Sequence, residues 1–168
     1  MIQAYHHERF NFFVAMIVIA IISLAALSRY SLMAADARIL RLQIISHHFM
    51  TGAANTRIQF LISNMANAEQ AKRSSVDKPL YFSPQGWPVS TSGPIASNYQ
   101  PTDEDCYQLW QLFLQNPAPI TKGATAKSRK EYRAFSLTNN CRYEFSDGTA
   151  YFDYFPLDGR LIFIPTPH

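Results

Sequence analysis

Residues 10–27 read FNFFVAMIVIAIISLAAL, a stretch without charge in which only Asn11 and Ser23 are polar. As an α-helix it is about 27 Å long, close to the hydrocarbon thickness of a bilayer. Core helices of soluble domains also carry apolar runs, but rarely one this long without a polar stripe. The stretch therefore predicts a membrane-inserted helix, with residues 1–9 as a short cytoplasmic tail and 10–28 as the span. A cleaved signal peptide is the competing reading, with an apolar core over 12–22 and Ser23-Leu24-Ala25 as a small-x-small site. Against it, the helical pattern runs on far beyond Ala25, which favours a retained anchor.

That continuation, residues 29–71, has no proline and one glycine, Gly52. Met33, Ala37, Leu40, Ile44, Ile58, Leu61, Ile62 and Met65 recur at helical spacing, while Arg38, Arg41, His48, Asn55, Gln59 and Asn64 supply polar surface. The expectation is an amphipathic extension whose apolar side packs on the chain's own sheet, the alternative being another helix of the same kind. Thr51-Gly52-Ala53-Ala54 is a flat patch that suits a close neighbour, making Gly52 and Ala53 candidate interaction residues and a place where the helix can bend.

Residues 72–104 change character, with Pro79, Pro84, Pro88, Pro94 and Pro101. They read as an ordered loop anchored by Tyr81, Phe82 and Trp87, which would otherwise be exposed. An α+β domain follows over 105–168. Thr102 can cap a short helix running to about Gln115, with Asp103, Glu104 and Asp105 in the first turn, where the helix dipole favours acids. Cys106, Leu109, Trp110 and Phe113 share one face of it. From Glu131 the pattern is β, with segments 131–137, 141–146, 149–155 and 160–164. Asn139-Asn140, Asp147-Gly148 and Leu157-Asp158-Gly159 separate them, and Asn-Asn and Asp-Gly tolerate the positive φ of tight hairpin turns. The simplest assembly is a four-stranded antiparallel meander covered on one face by the long helix.

The pI of 8.9 is unevenly founded. Residues 1–73 carry seven Lys/Arg against three acids, and residues 74–168 carry eight against nine. A nearly neutral C-terminal domain argues against nucleic-acid binding. Orientation signals conflict. Arg29, Arg38 and Arg41 after the span, against Arg9 before it, mildly favour a cytoplasmic C-terminus. Cys106 and Cys141, an isolated pair, are a disulfide candidate that favours an oxidising compartment, and they are given the greater weight.

Chemistry-bearing motifs are sparse. The His6-His7 and His47-His48 pairs diverge by about 100° on a helix and form no chelating face alone. The cysteines lack the CxxC spacing, and no phosphate loop, GxSxG or HExxH occurs. No enzyme activity, cofactor, metal or small-molecule substrate is expected. Lys122, Lys127, Arg129, Lys130 and Arg133 form a basic stretch. They are either a solvated loop leading into an edge strand or a docking surface, with Lys127, Arg129 and Lys130 the candidates for the latter.

The order of anchor, amphipathic extension, variable loop, antiparallel meander and late cysteine pair is that of type IV pilin-like proteins. Through Gly86-Trp87-Pro88, Cys106 with Leu109-Trp110, and Cys141-x-Tyr143, the chain resembles the MshF family. These are accessory proteins of the mannose-sensitive haemagglutinin (MSHA) type IV pilus. The resemblance implies a single-pass protein of the bacterial inner membrane with a periplasmic C-terminal domain. Its partners would be pilins or the pilus assembly platform. Pilins are cut after a glycine, leaving a glutamate inside the span. Here no glycine precedes the apolar run, and Glu8 lies before it. The expectation is thus a pilus builder, with a minor pilin-like subunit as the alternative. A membrane-anchored ligand sensor is a further alternative, although nine residues before the span leave little room for an output domain.

Overall fold

The computed structural model describes residues 2–66, 80–93, 99–124 and 130–165. Helix α1 spans Ile2–Ala66, as a proline-free stretch with one glycine allows. Strands β1 (Tyr81–Phe82) and β2 (Pro88–Ser90) precede helix α2 (Asp103–Phe113). Strands β3 (Ile120–Lys122), β4 (Tyr132–Ser136), β5 (Cys141–Phe145), β6 (Ala150–Phe155) and β7 (Arg160–Pro165) follow. The chain divides into two compact units, Met1–Leu40 and Arg41–His168.

The first unit contains the apolar segment Phe12–Tyr30, long and apolar enough to cross a membrane, with every side chain exposed within the chain. In the second unit the protein is α+β. Its sheet is mixed, in the order β3-β4-β5-β6-β7, with β3 parallel to β4 and the other pairs antiparallel. The expected four-stranded, wholly antiparallel meander is corrected by this fifth strand. β3 is three residues long between Pro119 and Gly123, too short to show periodicity. The loop also carries a small antiparallel pair of its own, β1 with β2. Of its expected anchors two are seen in contact: Phe82 stacks on Phe60 at 4.1 Å, Arg57 lies over Trp87 at 4.5 Å, and Trp87 packs against Gly159.

Alternation in β5 holds. Cys141, Tyr143 and Phe145 are buried, Arg142 and Glu144 half-buried on the other face. That outer face is laced by ion pairs, Arg133 with Glu144 and a two-pronged Arg142–Asp153 contact at 2.8 Å. Two hairpins use the positive φ of Gly148 and Gly159. At Asn139-Asn140 the expectation of a left-handed turn fails. No described residue other than glycine has positive φ, and Leu137 N–H instead closes onto the Asn140 carbonyl at 2.8 Å.

The side of α1 that meets the sheet also differs from expectation. Leu42, Ser46, Phe49 and Ala53 are buried, whereas Ile44, Ile58, Leu61 and Ile62 are exposed. In the first unit Met33, Ala37 and Leu40 are exposed as well. The side chain of Met65 lies outside the described residues, as do residues 67–71. Periodicity selected the wrong side because α1 is apolar on two sides. The larger Phe49 ring decides: it sits against Phe113, Tyr143, Phe152 and Tyr154, with centroids 5.0 to 5.6 Å away. At Gly52 the two helices come close, since a Cβ there would lie 2.6 Å from the Phe113 carbonyl oxygen.

Phe49→Ala is expected to destabilise the second unit by about 3–5 kcal/mol in urea unfolding, from lost burial plus the cavity left behind. Gly52→Ala, which in a free helix gains about 1 kcal/mol of propensity, is expected to be destabilising, because its methyl group overpacks against Phe113.

Candidate interaction surfaces

Helix α2 is the junction of the second unit. Thr102 Oγ1 accepts from the Asp105 N–H at 3.1 Å, and the Asp105 carboxylate accepts from the Thr102 N–H at 3.1 Å, a reciprocal capping box. One residue on, Cys106 is joined to Cys141 by a disulfide, with Cα atoms 5.3 Å apart. The bond suggests an oxidising compartment.

The acids of the first turn are not merely dipole partners. Asp103 accepts from the N–H and Oγ of Ser136 at 2.7 and 2.8 Å, holding the end of β4. Glu104 pairs with Lys122 at 2.7 Å, holding β3. Asp105, 2% exposed, accepts from Ser90 at 2.6 Å, Ser92 at 3.0 Å, Tyr99 at 3.3 Å and the Thr102 hydroxyl at 2.7 Å. Burial alone would raise its carboxyl, but the hydrogen bonds from Ser90, Thr102 and Ser92 outweigh this and hold it below the ordinary carboxylate value. Tyr99 is pushed up by burial and by the Asp105 charge, so its hydroxyl remains a donor. The sequence signal for this hub was the Thr102-x-x-Asp105 spacing, and nothing in it pointed to Ser90 or Ser92.

The other candidate residues are only partly brought together. Ala53 is buried and Gly52 meets α2, so their close neighbour lies within the chain. Lys127 and Arg129 lie outside the described residues. Lys130 Nζ donates to the Ile120 carbonyl at 3.0 Å. Arg133 bonds the Ala124 carbonyl and Glu144. The described part of the basic stretch is thus tied into the sheet. His47 and His48 are exposed on α1, the side chains of His6 and His7 and all of His168 being outside the described set. Among the described residues no three His, Cys, Asp or Glu side chains come together as metal ligands.

What the second unit does present is the reverse side of α1. Ile44, Ile58 and Ile62 fall on one side of the helix, about 180° from Leu42, Phe49 and Ala53 at 100° per residue. Ile58 is 54% exposed and Ile62 61%. Leu61 flanks them, and the polar Thr51 and Asn55 lie between. Near the start of this segment, Arg41 bonds Glu131 at 3.2 Å and lies over Tyr132 at 5.8 Å.

Asp105→Asn is expected to cost about 2–3 kcal/mol, since hydroxyls arranged around a carboxylate lose their charged acceptor. A carboxyl held below its unfolded value stabilises the fold at neutral pH and loses that contribution as pH falls through the folded value. Acid titration of stability is therefore expected to be shallower below about pH 4 in the variant than in the wild type. Reduction of Cys106–Cys141 is expected to lower stability by about 3–4 kcal/mol in urea unfolding with and without reductant, as the chain-entropy relation gives for such a loop.

No protein-family model, curated protein or solved structure matches the chain.

Proposed function

We propose that the chain is a non-enzymatic accessory protein of type IV, MSHA-like pilus assembly. In this reading the apolar segment anchors it in the bacterial inner membrane, the second unit lies in the periplasm, and it acts by contact with pilins or the assembly platform. The observation that carries the proposal is the second apolar side of α1. A helix covering a sheet needs one apolar side, and exposed Ile44, Ile58 and Ile62 on the other are a surface in want of a partner. A helix of similar kind suits it, because spacing of this sort packs along a neighbouring helix. The disulfide supports the extracytoplasmic placement of the second unit.

Co-purification from detergent tests the proposal. Pilins or platform proteins are expected to be recovered with the wild type. Ile58→Asp/Ile62→Asp is expected to lose them while unfolding within about 0.5 kcal/mol of the wild type, as surface substitutions do. Failure to recover any pilus protein with the wild type would sink the idea. The pilin-like layout favours one rival, a minor subunit that enters the fibre without standard processing. Blotting a C-terminal tag separates the two: an assembly factor stays in the membrane fraction, whereas a subunit appears in sheared pili.

A further inference from the structure

Strand β7 forms one open edge of the sheet, pairing with β6 alone among the described strands. Ile162 and Ile164 are exposed on one face, Leu161 and Phe163 half-buried on the other. Edge strands present unpaired N–H and C=O groups, which folds blunt with charge, shortness or bulges. The opposite edge, β3, is blunted in this way, being three residues long and ending in Lys122. β7 is six residues long, and Leu161-Ile162-Phe163-Ile164 carries no charge.

Pro165 determines which groups point outward. It has no N–H, so the Ala150–Pro165 pair cannot exchange two hydrogen bonds. Bonded and non-bonded pairs alternate along an antiparallel ladder, so Phe152–Phe163 and Tyr154–Leu161 are also of the non-bonded kind. Leu161 and Phe163 therefore aim their N–H and C=O groups away from β6.

We propose that a second copy of the chain closes this edge, β7 against β7, about a two-fold axis at Ile162. In that register Leu161 of each copy faces Phe163 of the other, and every outward N–H of these residues meets a C=O. Ile162 lies opposite its own counterpart as a non-bonded pair, with Cα atoms about 4.5 Å apart. Arg160 falls opposite Ile164, so no like charges meet. An axis at Phe163 would instead set Pro165 against Leu161 and leave the Leu161 carbonyl without a donor. The strand's own sequence selects one register. Because β3 is short and ends in Lys122, the pairing closes at two copies instead of running on. The contact is smaller than the about 1,200 Å² of a stable interface, so it depends on concentration and is favoured among copies anchored in one membrane. It uses a different surface from α1 and stands independently of the pilus reading.

The test is Ile162→Cys in the full chain, oxidised mildly in membranes of expressing cells. Its monomer band is expected to be lost to a disulfide-linked dimer. Ile164→Cys, displaced from its own counterpart by about 13 Å along the strands, is expected to remain monomeric. No dimer with Ile162→Cys, equal cross-linking at both positions, or cross-linking of Ile162→Cys to a different protein overturns the proposal. Because an added thiol can exchange with Cys106–Cys141, amide exchange on the detergent-solubilised protein gives a second readout without a new cysteine. Exchange at Leu161 and Phe163 is expected to slow as protein concentration rises. Ile162→Lys is expected to abolish that slowing with its melting temperature unchanged. Exchange independent of concentration in the wild type overturns the proposal.

Discussion

The Phe49 ring, set among Phe113, Tyr143, Phe152 and Tyr154, ties α1 to both α2 and the sheet. Its position fixes which side of α1 is core and which is surface in the second unit. Once Phe49 points inward, Leu42, Ser46 and Ala53 follow it on successive turns, and Gly52 must meet the Phe113 backbone. Ile44, Ile58 and Ile62 are then carried to the opposite side. The exposed apolar side of the helix is thus a geometric outcome of the core contact.

The short helix α2 organises the remainder. Cys106 and Trp110 face the sheet, where Trp110 packs on Tyr132, Tyr143 and Phe152 and donates its indole N–H to the Ala118 carbonyl at 3.1 Å. The acids at its N-terminus reach outward to the loop, to β3 and to the end of β4. A helix of eleven residues thereby joins the loop to strands β3, β4, β5 and β6. This division of labour, rings on one side and carboxylates at one end, lets a small domain with a limited core hold the described part of the loop around Ser90 and Tyr99.

The elements with strong local signals were legible in the sequence. The apolar segment, the capped α2 with its Cys106, Leu109, Trp110 and Phe113 face, and the alternation in β5 follow from short-range rules, whereas the Cys106–Cys141 bond, 35 residues apart, follows from the chain having two cysteines. What was not legible depended on comparing alternatives in three dimensions. Counting apolar positions on α1 found a real stripe but could not tell that Phe49, with fewer apolar companions, was the one that fitted the sheet. β3 was missed because three residues carry no period, and its parallel pairing is non-local. Asp105 resembled its two neighbours in sequence, and only the fold shows that it alone is enclosed by hydroxyls from Ser90, Ser92, Tyr99 and Thr102. The small-residue patch at Gly52 announces a close neighbour without naming it, and in the fold Gly52 faces Phe113 of α2.

The rings that receive Phe49 come late. Tyr154 follows it by about a hundred residues, which at about 5–20 residues per second of synthesis leaves the phenyl group uncovered for about 5–20 s. During that interval the apolar segment has already emerged, and both apolar sides of the helix are bare. The order in which the chain is made therefore imposes a window of vulnerability to mispairing, one that closes only when the last hairpin folds back onto the helix.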